Sequence, residues 1–118
     1  MEPLLAAKAL IALVFLANAF GVVDQKQPER DMEGVGVPPA LARLATWGGR
    51  ALQLGACVAL FTPWDRFGAA ALGLFLIPAT LLAHHFWGIP AEDRGRQLTQ
   101  FLKNTAIVGG LLALAVRA

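Results

Sequence analysis

Long apolar runs alternating with short polar stretches organise this chain. The third run is the plainest: from Phe67 through LGLFLIPATLLAHHFWG it is nearly unbroken hydrocarbon until His84, His85 and Trp87. At helical rise its about 21 residues span roughly 31 Å, the thickness of a bilayer's hydrocarbon core. It reads as a membrane span. The first run, Leu4 to Val23, is broken only by Lys8 and Asn18. A secretory signal would share its basic residue, short core ALIALVFL and small-x-small Ala17-Asn18-Ala19, but Glu2 is the first charge, and retention as a helix is the favoured reading. Pro39 to Phe61 forms the second run, opened by a proline suited to a first helical turn. Leu98 to Val116 closes the set.

The connections fit the same plan. Residues 24–38 mix charges with Gly34, Gly36 and Pro38, the composition of a solvated loop too short to be a domain. Thr62-Pro63-Trp64-Asp65 has the form of a capping box starting the third helix. GIPAEDRGR, Gly88 to Arg96, is a short polar connection. The prediction is an all-α membrane protein, a four-transmembrane-helix up-down bundle in one domain, 1–118, with helices over about 4–23, 39–61, 66–87 and 97–116. Pro78 should kink the third helix. Ala45, Gly48, Gly49, Gly55, Ala56 and Ala59 on the second helix, Ala69 with Gly73, and Ala106 with Gly110 supply small surfaces for close helix contact.

Composition agrees: 57% hydrophobic and 15% charged residues suit lipid better than water. A net charge of +2 with scattered basic residues is no nucleic-acid footprint. Cys57 stands alone, which excludes a self-contained thiol–disulfide enzyme. Lys26, Arg30, Arg43, Arg94, Arg96 and Lys103 flank the first and third loops, against Arg66, Arg117 and Lys8 at the opposite face. Counting positive charges makes those loops cytoplasmic in a multi-pass protein of the cell membrane.

Depth sorts the polar residues unevenly. Asn18, Arg43, Thr46, His84, His85, Gln97, Gln100, Lys103 and Asn104 fall in the half facing loops 1 and 3, while the other half offers little beyond Lys8, Cys57 and Thr62. This asymmetry predicts a polar pocket on the loop 1 and loop 3 side. Arg50, roughly 16 Å into the second helix, is the costliest member, since a mid-span arginine costs about 2.5–3.5 kcal/mol. Arg43, Trp47, Arg50, Leu54 and Cys57 share a helical stripe, with Gln53 beside it. No Asp or Glu lies within the apolar runs, so Arg50 and Lys103 must be met by carbonyls, amides, water, headgroups, a partner or a ligand with oxygen acceptors. Arg50 held by Gln53 and backbone carbonyls, and Asn104 as helix glue, are the plainer alternatives.

Adjacent histidines on a helix point about 100° apart, and with no histidine elsewhere, bis-histidine haem across two helices is impossible within one chain; zinc has no i, i+4 pair. No metal is assigned. A hydrogen bond or proton exchange with a quinone head suits an imidazole near neutral pH; the plain alternative is an interfacial residue of the aromatic belt.

The sequence resembles the DoxX family of small four-helix membrane proteins over nearly its whole length. The segments that carry this are Gly36 to Pro38, Gln53-Leu54-Gly55, PATLLAH from Pro78 to His84, Phe86-Trp87, and FLKNTAIVGG from Phe101 to Gly110. The resemblance implies a membrane subunit linked to oxidoreductase complexes, thiosulfate:quinone oxidoreductase among them, and singles out His84, Phe86, Trp87, Lys103 and Asn104. The expectation is an auxiliary subunit of a quinone-linked redox system, not an enzyme alone, with Arg50, Gln53, His84, His85, Trp87, Lys103 and Asn104 lining the pocket. It carries no intrinsic cofactor, and a quinone is the ligand it would accept. Its partners are the bilayer and a membrane protein or a second copy of itself. A purely structural subunit of a larger membrane complex is the alternative, and a small-solute carrier working as an oligomer is the third.

Overall fold

A computed structural model describes residues 3–20 and 27–117. Among these the chain is all-helical, in the order α1 (Pro3–Ala19), α2 (Gln27–Gly34), α3 (Pro39–Leu60), α4 (Asp65–Ala83) and α5 (Ala91–Val116). The expected end of the first span, beyond Phe20, lies outside the described residues. Two helices, α4 and α5, are long and apolar enough to cross a membrane; α1 is apolar but only 17 residues long.

The long helices alternate in direction. Asn18 of α1 faces Gln53 of α3 while Ala12 faces Cys57, so these two run antiparallel. Likewise Thr80 meets Asn104 at one end of the α4/α5 pair, and Asp65 meets Arg117 at the other. The core lies where these faces converge, with Phe15, Leu60, Leu72 and Leu111 fully buried and Ala12, Ala56 and Ala69 packed between them.

Local chemistry moves several boundaries away from expectation. The loop expected over 24–38 contains α2, which has Pro28 in its first turn and Glu29 beside the N-terminal dipole. It stops where Gly36 adopts φ +97, a left-handed conformation that glycine enters without strain, and Val37 N–H turns back to Met32 O at 3.0 Å. Instead of hanging free, α2 packs on α3 and touches α4.

The helix expected over 66–87 ends at Ala83. His84 N–H still reaches Thr80 O at 2.9 Å, but the chain then turns through Gly88 at φ +75 towards Pro90. The run His84 to Trp87 therefore lies in the connection, not on the helix, and the 100° argument for the histidines does not apply. Pro78 sits inside α4, which continues through it. The last helix begins at Ala91, six residues earlier than the expected Gln97. Pro90 enters it in extended conformation, and Glu92 and Asp93 complement its first turn.

The capping box at Thr62 does not form. Thr62 Oγ1 donates to Ala59 O at 2.7 Å and accepts from Trp64 N–H at 3.1 Å, while the Asp65 carboxylate is drawn away to Lys8 and Arg117. An ion pair with two cations outcompetes a backbone N–H here.

Close helix contact falls on part of the expected set, with Gly49 against Phe75 and Ala56, Ala59 and Ala69 at the α3/α4 seam, and on Gly68, which was outside that set. A Cβ on Gly68 would stand 2.7 Å from Ala56 O and 3.0 Å from Ala59 Cβ, so α3 and α4 approach where only glycine fits. Gly48, Gly55 and Gly109 face open space, Ala106 is exposed, and Gly110 would meet only Ile11 at 3.5 Å. Of the stripe on α3, Arg43 and Trp47 are exposed and Cys57 is buried; Ala42, Thr46, Gln53, Ala56, Cys57 and Leu60 form the inner face.

Gly68→Ala should destabilise the bundle by about 1–3 kcal/mol through backbone separation. Gly55→Ala should be neutral or stabilising by up to about 1 kcal/mol, since it gains helix propensity without a clash. Unfolding in mixed micelles distinguishes them; equal losses would contradict this packing.

Candidate functional site

The polar residues of the loop 1 and loop 3 half are brought together in pairs, not around one cavity. On α1/α3, Asn18 Nδ2 donates to Gln53 Oε1 at 2.8 Å, and Gln53 Nε2 donates to Gly49 O at 3.1 Å. Gln53 is 1% exposed, so its amide joins the two helices from within the core. Beside it Arg50 Nε donates to Ala19 O at 2.9 Å, and its guanidinium lies 4.4 Å from the Trp47 ring centroid. A carbonyl and a ring quadrupole meet the cation where no carboxylate is at hand.

On α4/α5, His84 Nδ1–H donates to Gln97 Oε1 at 3.0 Å, which leaves Nε2 as an acceptor in the neutral ring. His85 Nδ1–H donates to Leu82 O at 3.1 Å. The two imidazoles thus bond in different directions, one across to α5 and one back to the end of α4. Phe86, Trp87 and Phe101 form a triangle of edge contacts at 5.3–6.1 Å, and the His85 ring lies 5.8 Å from Trp87. This cluster pins the connection to α5, and each such contact contributes about 0.5–1.5 kcal/mol beyond burial. One turn further, Asn104 Nδ2 donates to Thr80 Oγ1 at 3.1 Å. Lys103 is exposed.

Two clefts open between α4 and α5. One, of about 150 Å³, is lined by Ile77, Thr80, Leu81, Phe101, Asn104, Thr105 and Val108. The other, about 350 Å³, shares Ile77 and Val108 and continues past Gly73 to Ala69 and Ala115. Of the candidates from sequence, Asn104 alone lines them; Arg50, Gln53, His84, His85, Trp87 and Lys103 do not. Among the described residues no three His, Cys, Asp or Glu side chains cluster as a metal would require.

Sequence reasoning missed the tightest ionic group. Asp65 Oδ2 accepts from Lys8 Nζ at 2.7 Å and from Arg117 Nη2, and the guanidinium also donates to Leu114 O at 2.8 Å. The Lys8 and Asp65 side chains are 12% and 10% exposed. The half expected to be dry therefore holds a cluster joining α1, α4 and the end of α5. Its signal was present: three charges, all at the same end of the bundle once the helices alternate in direction. Assigning Asp65 to a cap concealed it.

Comparison with protein-family models, with curated proteins and with solved structures returns no match.

Asp65→Asn should lower the melting temperature, and so should Lys8→Met. The double variant should lose less than the two single losses added together, because each removes the same interaction. Additive losses would mean that Lys8 and Asp65 act independently.

Proposed function

We propose that this chain is an integral membrane protein of four spans, α1, α3, α4 and α5, acting as an accessory subunit of a quinone-linked redox assembly and not as an enzyme alone. One observation carries the membrane part. The apolar window of α5 is only 11% buried and that of α4 only 28%, so their hydrocarbon faces outward. A core helix of a water-soluble protein would hide that surface; lipid or a membrane partner accommodates it. Leu74 at 72%, Leu112 at 60% and Val58 at 67% exposed extend the outward apolar surface to α3.

Polar chemistry turned inward is the complement. Asn18 with Gln53, Thr80 with Asn104, and His84 with Gln97 supply interhelical hydrogen bonds where hydrocarbon offers none. In this reading α2 and the His84–Pro90 connection lie at the cytoplasmic face of the cell membrane, and the Lys8–Asp65–Arg117 cluster lies at the opposite face. The redox association follows the DoxX resemblance of the His84, Phe86-Trp87 and Phe101–Gly110 segments. The partner would supply the electrons, as this chain holds no cysteine pair.

A second reading, a packing subunit without a ligand, is favoured by the partners that Arg50, Gln53 and His84 already have within the chain. Replacing His84 and Lys103 with alanine separates the two readings. A redox accessory loses quinone-dependent activity of the host membranes while the complex still co-purifies; a packing subunit shows no such loss. The membrane reading itself predicts retention in the pellet after alkaline carbonate washing, and release into the supernatant would end it.

A further inference from the structure

We infer that the outward face of α3 binds an anionic phospholipid, its phosphate held between Arg43 and Arg50 beside Trp47 and an acyl chain lying along Ala51, Leu54 and Val58. This rests on the membrane reading above and is independent of the redox association. The head of the site is two guanidinium groups without a counter-ion: no salt bridge joins Arg43 or Arg50 to a carboxylate among the described residues. Arg50 donates its Nε–H to Ala19 O and lies 4.4 Å from the Trp47 ring centroid, which leaves both Nη groups without a hydrogen bond among the described residues. Held from two sides, that guanidinium is preorganised, and its remaining N–H groups form the fork that phosphate oxygens match.

Position along the helix selects a lipid over a dissolved anion. Ala19 is the last residue of α1, and the Arg50 side chain reaches its carbonyl, so this guanidinium sits at the level where α1 ends. Trp47 and Arg43 lie one and two turns nearer the start of α3, on the same stripe by i, i+4, i+7 spacing, and both are exposed. In the other direction the stripe turns wholly apolar: Ala51 is exposed, Leu54 half-buried and Val58 67% exposed. From Trp47 to Val58 it runs roughly 16 Å at helical rise, close to the hydrocarbon depth of a single leaflet, about 15 Å. A basic head with an indole at the water boundary, above an apolar strip one leaflet long, matches a phospholipid; a soluble phosphate would leave the strip unused. In the orientation proposed above this end faces the cytoplasm, whose leaflet carries anionic lipid.

The test uses the full chain in mixed micelles carrying equal amounts of phosphatidylglycerol and phosphatidylcholine, with bound lipid counted by native mass spectrometry. Each guanidinium should favour the anionic lipid by about fivefold, so the parent should retain phosphatidylglycerol over phosphatidylcholine by at least about tenfold. Arg43→Gln alters an exposed side chain with no partner among the described residues and should cut that preference by about fivefold. Adding Arg50→Gln should bring it near parity; should that double variant lose its helices by circular dichroism, the single variant decides. Arg94→Gln with Arg96→Gln removes the same charge from the same end of the bundle and should leave the preference unchanged. Excess inorganic phosphate at matched ionic strength should not displace the lipid. Equal retention of both lipids by the parent, an unchanged preference in Arg43→Gln, or an equal fall in the two double variants overturns the site and leaves the membrane reading intact. Displacement by inorganic phosphate makes the ligand a dissolved anion and overturns the lipid assignment. Absence of any bound lipid, together with release of the protein by alkaline carbonate, ends the membrane reading as well.

Discussion

One carboxylate holds the far end of this bundle together. Asp65 opens α4, and the cations it binds come from α1 and from the residue following α5, so a single side chain fixes how three helices align along their length. The polar contacts along the α1/α3 and α4/α5 seams share that alignment. With Lys8 anchored to Asp65, Cys57 falls beside Ala12, Gln53 beside Asn18 and Arg50 beside Ala19. With Arg117 anchored, Leu111 falls beside Gly73, Asn104 beside Thr80 and Gln97 beside His84. A slip of one turn would separate all of these partners.

The interfaces are stabilised by different means. Between α1 and α3, and between α4 and α5, polar side chains meet directly. Between α3 and α4, backbone approach at Gly68 and the fit of Phe75 against Gly49 take that place. On the four-span reading proposed above, helix association brings little solvent-transfer gain, so close contact and hydrogen bonds would carry it. Arg50 fits the same logic, its charge met by a carbonyl of the neighbouring helix and by its own Trp47.

The four long helices and their order were legible in the sequence because long apolar runs and Pro-marked starts are local signals, whereas α2, short and polar, was read as loop. Pro39 placed the start of α3 correctly. The failures have separate causes. Asp65 had a backbone cap within reach and chose two cations far along the chain. His84 and His85 extended an apolar run on paper, yet the connection is set by Gly88 and Pro90, and hydropathy does not register backbone conformation. Gly68 was hidden among other glycines because only the facing Ala56 carbonyl distinguishes it. The candidate residues were legible as polar positions but not as a group: His84 pairs with Gln97 and Asn104 with Thr80, whereas Arg50 and Gln53 belong to a separate interface, because depth along a helix does not register the direction of a side chain.

The Lys8–Asp65 pair spans 57 positions, which bears on how the protein is made. On the four-span reading proposed above, a first helix threaded into a bilayer as it leaves the ribosome would present an ammonium group long before its counter-ion is synthesised. Until then that charge would rest in the headgroups or against the insertion machinery. Biogenesis of the amino-terminal segment would thus be tied to a residue translated much later, and the earliest helix to arrive would be among the last to settle.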